Sequence, residues 1–293
     1  MTRRSTRRGA AAEFRRLRPG LVLVLCGLGL LAGAPGRAAG PAALVPTGDA
    51  IFEDGFETGN ISAWFRSAQP GVCYGSGGGT QGGDLMTFDT TTGVATIVAN
   101  CHLGAVPGLA IDSRGKLFAA SLFYLAVVDP VDGSSGVIGS ISGVSGLRAI
   151  AFDDADVLYA TDGEALYTVD TATAATTLVG SHVTSTHLRG LAFDPGTGTL
   201  YGSSVQEADK IYTIDKATGQ ATLLGTIGIG VTSSTPDLCF LGGLLYGVKS
   251  GNASGNDDLV SISPTTGVGI AVVGGSGATG VNGVSGMTSW IPE

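Results

Sequence analysis

From residue 73 onward the sequence repeats itself, and this limits what it can fold into more than any other feature. One copy opens Gly190-Leu191-Ala192-Phe193-Asp194 and continues Gly198-Thr199-Leu200-Tyr201-Gly202. It then reads Ile211-Tyr212-Thr213-Ile214-Asp215-Lys216-Ala217-Thr218-Gly219 and closes Ala221-Thr222-Leu223-Leu224-Gly225. The opening run matches Gly108–Asp112 and Ala149–Asp153, and more loosely Asp237–Leu241. Asp215 corresponds to Asp89, Asp129, Asp170 and Ser263, at successive separations of 40, 41, 45 and 48 residues.

Each copy holds four short runs of alternating or β-branched apolar residues with Asp, Gly, Thr or Pro between them, the pattern of a four-stranded antiparallel meander. Asp-x-x-Thr-Gly makes a turn because the Asp and Thr side chains bond nearby backbone groups and Gly accepts positive φ. Both faces of each sheet are apolar, as Leu191 and Phe193 on one side and Ala192 on the other show. Such a sheet has to be covered twice, and four-stranded units stacked face to face make a β-propeller. A sandwich would not repeat the unit at this spacing, and β-helix coils are shorter.

The ends of the chain fit a ring. The first copy starts at Cys73-Tyr74-Gly75, equivalent to Leu200-Tyr201-Gly202, and so lacks an opening strand. Gly286-Met287-Thr288-Ser289-Trp290 is a spare one at the other end. Joining them removes the open edge. The sequence thus predicts an all-β fold, a propeller of about five four-stranded blades over residues 71–293, closed by a C-terminal strand. With 43% hydrophobic residues the chain can bury a core, and its 49 glycines imply turns rather than long helices.

Residues 1–39 have a different character. Eight arginines and one acid accompany an apolar run from Leu21 to Leu31, followed by small residues around Gly36–Ala39. This predicts a signal peptide, since the run is too short to cross a bilayer. Residues 40–70 form a leader. The expected location is therefore periplasmic or secreted, with no membrane span. After removal of residues 1–39, eight basic and 23 acidic residues remain, a net charge of −15. Such a surface repels nucleic acid. Three cysteines survive export. In an oxidising compartment Cys73 and Cys101 are the expected disulfide, with Cys239 a buried thiol in an apolar strand. No Cys/His cluster has zinc spacing.

The unit "GLAFDPGTGTLYG…IYTIDKATGQATLLG" resembles the YVTN/NHL-like and quinoprotein-like families of secreted β-propellers, over about residues 71–290. Asp89-Thr92-Gly93 and Asp215-Thr218-Gly219 fit the first half of the quinoprotein blade-docking motif. Its later Trp is replaced by aliphatic residues near Ile97 and Leu223, a departure that speaks against a quinone cofactor. Ile51–Trp64, containing DGFETGNISAW, resembles a segment found in exported proteins of Gram-negative bacteria; its Phe52, Phe56 and Trp64 are expected to pack on the ring.

No metalloprotease, serine-hydrolase, phosphate-loop or nicotinamide motif occurs. The candidate site lies in the connections that precede the innermost strands, at the mouth of the central channel. Arg148, His187, Arg189 and Asp237 are expected to ring it, where the guanidinium groups could hold a carboxylate or sulfate; the plain alternative is a solvated rim of paired charges. The loops Ser76–Asp84, Ser203–Asp209 and Lys249–Asp258 share that face. Their Asp84, Glu207, Asp209, Asp257 and Asp258 are oxygen ligands of the kind calcium takes, but none matches a defined calcium loop, and a solvated surface is the preferred reading over calcium as a cofactor. Asp112, Asp153 and Asp194 recur in phase and are expected only to start turns. The functional expectation is an exported non-enzymatic binding or scaffold module for a protein or polysaccharide. The alternative is a propeller enzyme of lactonase, lyase or quinoprotein-dehydrogenase type acting at the channel mouth.

Overall fold

Four short apolar runs per repeat become four strands per blade in the computed structural model, which describes residues 65–78, 82–182, 187–205, 209–229, 234–250 and 255–292. The first blade contains β1 (Cys73–Gly77), β2 (Asp84–Phe88) and β3 (Ala95–Asn100). The second contains β4 (Gly108–Ile111), β5 (Leu117–Ala120), β6 (Tyr124–Val128) and β7 (Ser135–Ser140). The third contains β8 (Ala149–Phe152), β9 (Leu158–Thr161), β10 (Ala165–Val169) and β11 (Thr176–Ser181). The fourth contains β12 (Leu188–Asp194), β13 (Thr199–Ser204), β14 (Lys210–Ile214) and β15 (Ala221–Thr226). The fifth contains β16 (Leu238–Leu241), β17 (Leu244–Lys249), β18 (Asp258–Ile262) and β19 (Gly269–Val272). Finally, β20 (Val284–Ser289) returns to the first blade and pairs antiparallel with β1, Tyr74 opposite Thr288 and Gly75 opposite Met287. The ring is closed as the sequence predicts.

The chain divides into two units, residues 1–48 and 49–293, and every described residue belongs to the second. The expected signal peptide and the DGFETGNISAW segment lie outside the described residues. The last residues of the leader are described: Arg66 Nε donates to Asp129 at 2.7 Å and the same guanidinium pairs with Asp132, while Ala68 N–H donates to the Gly115 carbonyl at 2.6 Å.

The core is five separate clusters, one between each pair of neighbouring blades. Alternate residues of each inner strand serve different clusters: Leu191 packs toward the third blade, with Ala149 and Tyr159, and Ala192 toward the fifth, with Leu238 and Val260. This is the physical content of a sheet with two apolar faces. Burying it stabilises the ring only when both neighbours are present.

The same alternation decides the disulfide, and it corrects the expected pairing. Tyr74 faces the second blade, in the cluster that also holds Cys101, whereas Cys73 points the opposite way, toward the fifth blade. Cys73 is therefore bonded to Cys239 of β16, with Cα atoms 6.7 Å apart, and not to Cys101. Cys239 is accordingly no free thiol. Cys101 is the buried one, its pKa pushed up to about 12 by burial and then by the charge of Asp84.

The turn residues act as their types suggest. Asp215 Oδ1 accepts the Ala217 and Thr218 N–H groups, and Asp89 does the same for Thr91 and Thr92. Asp112, Asp153 and Asp194 accept backbone N–H groups two or four residues on, the turn-starting role expected of them. Glycine is required where blades touch. Gly219, at φ +75°, abuts Gly180 of the preceding blade, so closely that a Cβ on Gly180 would collide with the Thr218 carbonyl oxygen. Gly225 meets Thr266 and Gly267 of the next blade in the same manner. The "LLG" and "TG" ends of the repeat are thus two halves of one backbone contact. Gly180→Val is expected to destabilise the protein by about 3 kcal/mol, the cost of overpacking against an immovable carbonyl, measured as a fall in the urea midpoint at unchanged m-value.

Candidate functional site at the channel mouth

The five inner strands run in the same direction along the axis, so the residues preceding them gather at one end. Gly108, Ala149, Gly190, Asp237 and Gly286 occupy the same level, where only small residues let the strands approach. A Cβ on Gly190 would lie 2.7 Å from the Asp237 Cα, and one on Gly108 3.0 Å from the Ala149 Cα.

Asp237 is the exception to that smallness, and its carboxylate fills the space the others leave. It is fully buried. Oδ1 accepts the N–H groups of Leu191 and Leu238, both at 2.9 Å, and Oδ2 that of Met287 at 2.8 Å. One side chain thereby joins the inner strands of the fourth, fifth and first blades. Burial pushes its pKa well above the usual carboxylate range, against the opposing pull of the three donors. The expectation that Asp237 faces a ligand at the mouth is corrected: it closes the axis beneath the mouth.

Above it the mouth is open. A cavity of about 220 Å³ takes residues from every blade, among them Ser285, Pro107, Leu122, Arg148, Arg189 and Pro236. A neighbouring cavity of about 200 Å³ is lined by Arg148, Arg189, His187, Asp162 and Val205. Three of the four expected mouth residues therefore stand together, with both guanidinium groups shared between the two cavities. His187 is placed by a left-handed backbone, φ 42°, just before β12. The partly enclosed setting, and then the charge of Arg148, lower the pKa of Arg189. Among the described residues no carboxylate forms an ion pair with either arginine. Asp162, the acid in that lining, accepts the Tyr167 hydroxyl at 2.9 Å and two backbone N–H groups.

The other two histidines are not at the mouth lining. His182 is fully buried between the third and fourth blades, bonded to Thr161 Oγ1 at 2.9 Å and to the Gly219 carbonyl at 2.8 Å, and burial lowers its pKa. His102 is exposed on a turn after β3.

The acids suggested for calcium are not gathered. Asp84 accepts Asn100 Nδ2 at 2.7 Å on the first blade. Asp209 pairs with the fully buried Lys249, whose ammonium also donates to the Ile229 carbonyl at 2.6 Å. Asp257 accepts the Val284 N–H at 2.9 Å and Asp258 the Gly277 N–H at 2.6 Å. These four carboxylates are engaged by the fold, and among the described residues no three His, Cys, Asp or Glu side chains form a group able to hold a metal. Glu207 lies outside the described residues.

Five four-stranded blades around a nearly closed axis, with a C-terminal strand completing the first, define a five-bladed β-propeller. The chain belongs to the family described as "Repeat of unknown function (DUF6923)", whose model matches residues 132–285. No curated protein matches it. Among solved structures it is similar to a chain of a nidogen/laminin complex, with 12% identity and a TM-score of 0.51 over 74% of this chain and 97% of that one. A Bacteroides caccae protein of unknown function gives 11% identity and a TM-score of 0.51 over 75% and 98%. A gluconolactonase of Xanthomonas campestris gives 13% identity and a TM-score of 0.47 over 71% and 78%. At these identities the likeness is one of fold. Among the described residues no helix is long and apolar enough to cross a membrane.

Proposed function

We propose that the protein is an exported, non-enzymatic binding module that holds an anionic group, a carboxylate or sulfate of a protein or polysaccharide, at the Arg148/Arg189 mouth. The observation that carries this reading is the pair of guanidinium groups that, among the described residues, form no ion pair with a carboxylate, in a chain that has 24 acids against 16 bases. A planar fork of N–H donors matches a carboxylate or sulfate two bonds at a time. An anion entering between the two arginines also relieves their mutual repulsion. Export is supported by the basic and apolar character of residues 1–39 and by the Cys73–Cys239 bond, which belongs to an oxidising compartment. An enzymatic reading at the same place would rest on His187 and Asp162, and Asp162 is already engaged by Tyr167.

Binding of sulfated and uronate-containing oligosaccharides to immobilised protein, compared with the neutral parent sugars, tests the proposal. The charged ligands are expected to bind and to weaken with salt. Arg148→Ala/Arg189→Ala is expected to weaken them by tenfold or more, about 1.5 kcal/mol or above for a charge-assisted contact, with the melting temperature unchanged. Equal binding by the double variant would overturn it.

A further inference from the structure

The opposite end of the axis carries a second, larger cavity with the reverse chemistry. It encloses about 380 Å³ where the inner strands end. Phe152, Phe193 and Phe240 come from the third, fourth and fifth blades at the same place in the repeat, and Ile111 and Trp290 complete the apolar wall. Asp112, Asp153 and Asp154 line the same cavity from the turns that follow. Asp237 separates this end from the arginine mouth, so the two are independent sites.

We propose that this cavity binds a small organic cation, an ammonium or guanidinium group on a short apolar stem. Aromatic faces beside carboxylates attract such a group twice, through the ring quadrupole and through charge, while the phenyl walls cover its stem. The protein already seats one ammonium of its own in this way at the cavity's margin. Lys216 Nζ lies 2.8 Å from Asp153 Oδ2, 4.6 Å from the centre of the Phe193 ring and 5.7 Å from that of Tyr159. That lysine satisfies Asp153 and leaves its neighbour. Asp154 is exposed at the cavity and, among the described residues, forms no ion pair. It offers a second carboxylate in a cavity whose wall includes Phe152 and Phe193, the same combination of charge and ring that Lys216 uses. The net negative charge of the chain, −8, draws cations toward it. The volume is near the small end of ligand cavities, about 300–1,000 Å³, which suits an amine of a few carbons rather than a polymer.

The probes are n-pentylammonium and its neutral counterpart 1-pentanol, followed by calorimetry and by fluorescence of a Trp64→Phe protein, in which Trp290 is the remaining tryptophan. The ammonium is expected to saturate below about 10 mM and to quench Trp290, with the alcohol about tenfold weaker. Asp154→Asn is expected to weaken the ammonium about three- to tenfold and to leave the alcohol unchanged; because Asp154 is exposed, the variant retains its melting temperature. Arg148→Ala/Arg189→Ala is expected to bind the ammonium as the parent does, which separates this site from the mouth. Equal affinity for ammonium and alcohol, an unchanged ammonium affinity in Asp154→Asn, or no saturation by the ammonium would each overturn the inference.

Discussion

Reducing the Cys73–Cys239 bond is expected to lower the folding stability by about 5 kcal/mol, the chain entropy released by opening a closed loop of this length. The two residues are 166 positions apart, so the bond constrains most of the ring in the unfolded chain. In the folded state it lies in the cluster between the fifth and first blades, beside the β20–β1 pairing that completes the circle, where Cys73 stands opposite Ser289. Reduction leaves that pairing in place, and the reduced protein is expected to remain a folded ring with a lower urea midpoint. Cys73→Ser/Cys239→Ser should melt with the reduced parent. Cys101→Ser should leave the effect of reductant intact, because a thiol with its pKa near 12 stays protonated and does not enter exchange. A urea midpoint insensitive to reductant would show that the bond does not form in the protein.

The repeat made most of this fold legible. Its period gave the blades, and the missing first strand at Cys73 with the spare one at Gly286 gave the closure. What could not be read was direction. In a strand, successive side chains point to opposite faces, so moving one residue from Tyr74 to Cys73 exchanges the second blade for the fifth as neighbour. Nearness in sequence favours Cys101, and the ring favours Cys239. Asp237 and His182 illustrate a second limit. Both stand in connections whose residue types suggest a polar face, yet each is a single polar group answering donors or acceptors from other blades, Met287 in one case and Gly219 in the other. Those partners are 50 and 37 residues away. Arg148 and Arg189 were visible because they precede equivalent strands, and equivalent positions in a ring converge. The aromatic end was present in the sequence as a repeated Phe, and a repeated apolar residue reads as core. Only the position of that residue, three beyond the level of Ala149, Gly190 and Asp237 where the axis is closed, turns a core residue into a cavity wall.

Replacing Asp237 tests the closing of the axis itself. In Asp237→Ala three buried N–H groups, those of Leu191, Leu238 and Met287, lose their acceptor. Each buried donor left unsatisfied costs about 1–3 kcal/mol, and after allowance for the relief of a desolvated carboxyl group the expected loss is about 3–4 kcal/mol in mildly acidic solution. Asp237→Asn keeps the oxygen facing Leu191 and Leu238 and turns its amide toward the Met287 N–H, so the expected loss is about 1–2 kcal/mol. The pH dependence has a definite sign. Because the folded pKa is raised above that of the unfolded chain, folding takes up a proton, and the Asp237 contribution is most favourable below the ordinary carboxylate range. It falls as pH rises above about 4, the unfolded carboxyl value, and stops falling once the folded carboxyl has ionised. The asparagine variant has no such titration, so its deficit against the parent is expected to shrink as pH is raised, read as the difference between urea-unfolding free energies at several pH values. A deficit that grows with pH would mean that the three donors outweigh burial and that the carboxyl is ionised more readily in the folded ring than in the open chain.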